Sequence, residues 1–192
     1  IPTIQRTGKK DFMNEYKIKF AVVGAGHIGK RHAEMISRNE ESELVAFCDI
    51  KDEEDLDISH FNVPIYSSVV QLLNNHPEVN VVNICTPNWL HYEMAIEAIS
   101  YRKHVLIEKP MTLSSKRANH LVDYAQKNKR FVFCVMQNRF SPTIMWLKKI
   151  IEQKKLGKIF SVHVNCFWNR NEKYYTLSDW HGKSELDLSL IH

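Results

Sequence analysis

From residue 16 onward, apolar runs of strand length alternate with stretches whose apolar positions recur every three to four residues. The runs cover 17–23, 44–50, 79–85, 104–108 and 131–136, with a shorter one at 64–66. They are apolar almost throughout, not at every second position, as parallel strands covered on both faces are. Between them, 27–38, 68–75, 90–101 and 114–128 read as helices. In the last, Ala118, Leu121, Val122 and Ala125 share one face, and Ser114 stands where an N-cap is needed. The alternation predicts an α/β fold, a doubly wound parallel sheet between helices. The acidic stretch 51–57 replaces a regular crossover helix with something shorter.

The pattern changes near residue 140. A helix is predicted over 142–153, with Ile144, Leu147, Ile150 and Ile151 apolar and Gly157 closing it. Residues 158–169 then alternate. Val162, Val164, Cys166 and Trp168 fall on one face, and Ser161, His163, Asn165 and Phe167 on the other, as in a strand of an antiparallel sheet. The chain therefore divides into 16–139, the doubly wound unit, and 140–192, the start of an α+β domain. Residues 1–15 are polar and unpatterned and read as a disordered leader, with Met13 a native start.

The first strand feeds into Gly24–Ala25–Gly26–His27–Ile28–Gly29, and a helix pattern follows. Asp49 closes the second strand, twenty residues beyond Gly29. Strand, G-x-G-x-x-G, helix and spaced acid together form the dinucleotide-binding fingerprint, so the sheet is read as a Rossmann sheet holding NAD. Gly24 makes the tight turn, Gly26 leaves room for the pyrophosphate, and Gly29 lets helix and sheet approach. His27 and Ile28 open the helix whose free N–H groups face the phosphates. The Asp49 carboxylate suits the adenine ribose hydroxyls and repels a 2′-phosphate, which favours NAD over NADP; Lys51, two residues on, tempers that preference.

Composition excludes several classes. Hydrophobic residues make up 44% of the 192, normal for a globular chain, and no apolar run reaches transmembrane length. The net charge of +4 is scattered, apart from pairs such as Lys148–Lys149 and Lys154–Lys155, which argues against a nucleic-acid surface. The N-terminal residues show no secretory pattern, so cytoplasm is the expected compartment. Cys48, Cys85, Cys134 and Cys166 are far apart and form no C-x-x-C pair, so they read as small buried hydrophobes without metal or disulfide. His27 and His32 lack the i, i+4 spacing of helical metal ligands, and His163 reads as structural.

Ligands of an open α/β sheet bind beyond the carboxyl ends of its strands. Three polar clusters fall there: Thr86–Pro87–Asn88 with His91 one turn on, Glu108–Lys109–Pro110, and Gln137–Asn138–Arg139. With the Gly24–Gly29 loop they resemble the glucose–fructose oxidoreductase and inositol dehydrogenase family over about 17–187. The Glu-Lys-Pro step is that family's most specific mark. The resemblance implies that Lys109 holds and polarises the hydroxyl being oxidised, and that Glu108 touches the cofactor. It implies a cis bond between Lys109 and Pro110, and Asn138 among the cofactor contacts. His91 either meets the nicotinamide ribose or caps its helix.

Within the family, 137–139, 165–170 and 178–182 look most like the nucleotide-sugar branch, which includes dehydrogenases of UDP-N-acetylglucosaminuronic acid. Arg139, Arg170 and Trp180 are then the expected substrate residues, the arginines pairing with a carboxylate or a diphosphate. The family pattern continues past Asp187 with a Gly-Gly step and a helix bearing a catalytic histidine. Here Leu188 follows, and His192 is no secure counterpart, so a shortened chain with reduced activity is expected. Association of copies through the second domain's open sheet is expected too. Two other readings stay open: a non-catalytic NAD-binding module, and an inositol, glucose or dihydrodiol dehydrogenase of the same family.

Overall fold

The computed structural model describes residues 16–167, 169–176, 181–183 and 186. The expected leader and Trp180 lie outside them. The chain runs β1 (Ile18–Val23), α1 (His27–Arg38), β2 (Ser42–Cys48), α2 (Glu53–Leu56), β3 (Ile65–Tyr66), α3 (Val69–Asn75), β4 (Val81–Ile84), α4 (His91–Ser100), β5 (His104–Ile107), α5 (Ser115–Lys127), β6 (Val132–Cys134), α6 (Pro142–Glu152) and α7 (Glu172–Thr176). The six strands form one sheet in the order β3-β2-β1-β4-β5-β6, and every pairing is parallel.

The apolar runs are buried on both sides because the chain covers both faces. Ala21 and Val23 of β1 join the core beneath α3, α4 and α5, whereas Val22 between them points to the core beneath α1. Ile84, Ile99, Ile107 and Leu121 are fully buried on the first side, and Phe47 is fully buried on the second. Each such side chain contributes about 1.5–3 kcal/mol. Ser114 caps α5 as expected, accepting from Arg117 N–H, and Ser68 likewise caps α3, accepting from Gln71 N–H. In the acidic crossover, Glu53, Glu54 and Asp55 start α2 at its positive end, and buried Leu56 anchors it. Asp57 then ends it in the left-handed conformation.

Strand order reverses at β1, whose neighbours are β2 and β4. The ladders run on past the strands. Gly24 N–H donates to the Cys48 carbonyl at 2.8 Å, Cys85 N–H to that of Val23 at 2.7 Å, and Glu108 N–H to that of Ile84 at 2.9 Å. Main-chain bonds thus bring the first residues beyond β1, β4 and β5 side by side.

Two expectations fail beyond the sheet. Helix α6 forms, with Pro142 in its first turn and the Ser141 hydroxyl accepting from Ile144 N–H, but none of its residues is buried. Residues 158–167 are in no strand, and Val162 and Val164 of the expected dry face are exposed. A strand needs a neighbour for its N–H and C=O groups, and the described residues supply none there. The cysteine reading also needs correction: Cys48 and Cys85 are buried, Cys134 is half-buried and Cys166 is exposed. Burial, with Asp49 and Glu97 adding to it, pushes the Cys48 thiol up to about 12. Burial and then Glu108 raise Cys85 as well.

Candidate functional site

The glycine loop leaves β1 at the switch point, and its three glycines do different work. Gly24 has φ +89°, and a Cβ there would lie 2.8 Å from the backbone of Cys85 and Thr86. Gly29 is buried, and a Cβ on it would collide with the Gly24 carbonyl oxygen. Gly26 is the exception: nothing lies within 4 Å of where its Cβ would be. The fold does not require glycine there, whereas a group approaching the helix end would. His27 and Ile28 follow at the exposed start of α1.

Asp49 stands beside the loop. Its Oδ2 accepts from Ala25 N–H at 2.7 Å and its Oδ1 from Lys51 N–H at 3.0 Å. Each oxygen keeps a lone pair for a ribose hydroxyl. An open cleft of about 400 Å³ adjoins the loop, lined in part by Gly26, His27, Lys30, Arg31, Lys51 and Asp55. At the end of β4, the Thr86 hydroxyl oxygen is buried without a hydrogen-bond partner. A buried hydroxyl is normally paired, so it marks a place where a ligand group is due. Open space at Gly26, the orphaned Thr86 hydroxyl and the Asp49 carboxylate together fit a dinucleotide.

The Glu108–Lys109–Pro110 turn follows β5, and its Lys109–Pro110 bond is cis. Lys109 is exposed. Glu108, which the resemblance implied as a cofactor contact, is buried. Its Oε1 accepts from His32 Nε2 at 3.0 Å and its Oε2 from Lys109 N–H at 3.2 Å. The Asn83 amide donates to His32 Nδ1 at 3.2 Å, which places the ring hydrogen on Nε2. Burial pushes the Glu108 carboxyl up, but the hydrogen bond from His32, with the Lys109 N–H and ammonium, holds it below its ordinary value. Glu108 is therefore a carboxylate at neutral pH.

His91 also departs from expectation. It is 0% exposed, with Nδ1 2.7 Å from the Pro110 carbonyl oxygen and Nε2 2.9 Å from that of Thr86. It lies behind the site and joins the ends of β4 and β5; it neither faces a ribose nor caps α4. Pro87 is half-buried and Asn88 buried at the start of the same segment. Asn138 and Arg139 lie in an exposed 3₁₀ turn after β6. Arg170 packs its guanidinium over Tyr174 at 4.2 Å, and that ring stacks on His181. Sequence reasoning missed His32 and Asn83. The signal was there: His32 lies on the core-facing side of α1 with Gly29, Ala33 and Ile36, where a polar residue needs a buried partner.

A profile of an oxidoreductase family with an NAD-binding Rossmann fold matches residues 18–136. The chain belongs to this oxidoreductase family. Among solved structures, it is similar to the WlbA dehydrogenase of Bordetella pertussis in complex with NADH and UDP-GlcNAcA. That likeness is 34% in sequence with TM-score 0.85, over 91% of this chain and 51% of the other. The corresponding enzyme of Chromobacterium violaceum, with the same two ligands, is 32% identical at TM-score 0.84, over 90% and 50%. The glucose-6-phosphate 3-dehydrogenase of Bacillus subtilis is 29% identical, over 86% of this chain and 47% of that protein. The inositol 2-dehydrogenase of Salmonella typhimurium is 28% identical, over 91% and 52%. The chain thus spans about half the length of the relatives it matches. No helix among the described residues is long and apolar enough to cross a membrane.

Proposed function

We propose that this chain is the cofactor-binding part of an NAD-dependent dehydrogenase that oxidises a hydroxyl of a UDP-sugar resembling UDP-N-acetylglucosaminuronic acid. One observation carries the reading: the sheet places an open glycine, an unpaired buried hydroxyl and an exposed lysine on the ends of adjacent strands. The likeness to two enzymes solved with NADH and UDP-GlcNAcA supports the substrate class.

In this reading, the backbone N–H groups from Gly26 to Gly29 hold the pyrophosphate, and Asp49 accepts from the adenine ribose. Thr86 and Pro87 line the nicotinamide end. When bound, NAD supplies the acceptor for the two electrons leaving the carbinol carbon. Lys109 donates to the substrate oxygen and stabilises the negative charge that develops as its proton leaves. Arg139, Arg170 and Trp180 hold the sugar nucleotide, and Asn138 supports the cofactor. The proton goes elsewhere than to half-buried His32 or buried His91, because both ring nitrogens of each already face a partner. The proposal includes a cytoplasmic setting and association of copies through 140–192, which sedimentation velocity reads.

The test is a fluorescence titration with NADH and NADPH, followed by NADH absorbance on adding UDP-N-acetylglucosaminuronic acid with NAD. Selective NADH binding with oxidation of the UDP-sugar, and not of inositol or glucose, is the expected result. Binding with no turnover of any sugar would favour an NAD-binding module, which the commitment of both nearby histidines to other bonds also favours. Failure to bind either dinucleotide would remove the reading.

A further inference from the structure

Lys109 lies in a turn whose two flanking residues are held from different helices. On one side, His32 of α1 donates to the Glu108 carboxylate, and Asn83 of β4 donates to His32. On the other, His91 at the start of α4 faces the Pro110 carbonyl oxygen. Of the three turn residues, Lys109 alone is exposed. The side chains of His32 and Glu108 are only 12% and 10% exposed. Helix α1 is also the helix whose first turn carries the glycine loop. One side chain therefore links the element that faces the pyrophosphate to the element that carries the lysine.

Packing alone does not explain His32. An aliphatic side chain would fill the same face of α1 without burying a ring that needs two partners. The histidine instead spans the sheet end to a residue 76 positions away. It occupies one oxygen of Glu108 and leaves the other for the Lys109 N–H at 3.2 Å. Without that donor, the carboxylate would be free to pair with the ammonium of its own neighbour, whose charge already acts on it.

We propose that His32 is a positioning residue for Lys109, holding the Glu108 carboxylate away from the lysine ammonium and fixing the turn relative to the cofactor helix. This rests on the reading in which Lys109 meets the substrate. The test compares wild type, His32→Leu and His32→Gln by trace acetylation with acetic anhydride. The rate at Lys109 is read by peptide mass spectrometry against exposed Lys149, without and with NADH. NADH fluorescence and thermal melting are followed on the same samples.

His32→Leu should slow labelling of Lys109 by at least about threefold, because the released carboxylate pairs with the ammonium and covers it from the reagent. Lys149 should not change, and NADH affinity should stay within about twofold of wild type. His32→Gln, whose amide reaches the same oxygen, should restore the rate. Wild-type labelling in a folded His32→Leu variant would overturn the proposal, as would a Gln variant that behaves like Leu. Should His32→Leu not fold, His32→Asn, too short to reach Glu108, takes its place; loss of fold in both would overturn the positioning role in favour of a structural one. A wild-type chain that labels as expected but binds no NADH would count against the cofactor reading and leave the His32 assignment standing.

Discussion

Gly26→Ala should cost cofactor binding and almost no stability, a combination the two neighbouring glycines cannot give. At Gly26, φ is −68° and no atom lies within 4 Å of the added Cβ. Replacing glycine by alanine in a permitted conformation gains about 0.4–1 kcal/mol by restricting the unfolded chain. Gly26 is also the N-cap of α1, where alanine is disfavoured relative to glycine by a comparable amount, about 0.5–1 kcal/mol. The two nearly cancel, so the melting temperature should move by no more than about 2–4 °C. The methyl group projects into the space a pyrophosphate needs, and NADH affinity should fall at least about tenfold, or 1.4 kcal/mol. Gly29→Ala drives its Cβ into the Gly24 carbonyl, and overpacking of that kind costs about 1–3 kcal/mol or more. It should lower the melting temperature as well as the affinity. Thermal melts by circular dichroism and NADH fluorescence titrations on both variants decide the matter. Wild-type NADH affinity in Gly26→Ala, or wild-type stability in Gly29→Ala, would refute the division of roles.

Asp49→Ala should weaken NADH about 10- to 100-fold, the range for hydrogen bonds to a charged group, and NADPH much less; equal losses in the two titrations would sink the ribose assignment. Lys109→Ala should remove oxidation of UDP-N-acetylglucosaminuronic acid while leaving NADH affinity within about twofold, and unchanged turnover would exclude Lys109 from the chemistry. The folded state holds Glu108 below its ordinary value, so its contribution to stability is complete above about pH 4.3 and is lost as pH falls through the folded pKa. Glu108→Gln should therefore lose less melting temperature than wild type between about pH 6 and pH 3, and parallel curves would contradict the His32–Glu108 pairing. Trp146→Ser in exposed α6 should change stability by less than about 0.5 kcal/mol, whereas Ile99→Ala in the core should cost about 2–5 kcal/mol. A large loss at Trp146 in equilibrium unfolding would mean that something covers α6 in solution.

The contrast between Ile99 and Trp146 also separates what the sequence reveals from what it does not. The strands were legible because a run buried on both faces is apolar throughout, and helices on both faces then follow by necessity. Their ends were less legible. Val79 is apolar and buried, yet its N–H donates to His76 and not to the ladder, so β4 starts at Val81. The stretch 158–167 alternates as a strand should, but alternation describes faces, and a strand also needs a partner.

The same distinction runs through the site. Gly24, Gly29 and Asp49 were legible because each answers a local demand within one βαβ unit. The roles of Glu108 and His91 were not, because their surroundings decide whether a polar side chain faces outward or is enclosed. His32 encloses Glu108 from 76 residues away, and the carbonyls of Thr86 and Pro110 enclose His91. Each polar residue enclosed behind Lys109 restricts the turn that carries it. The lysine is exposed, but its backbone has two anchors, and in the proposed role a charge acting on a substrate oxygen would gain from that fixity because less reorganisation is left for the reaction.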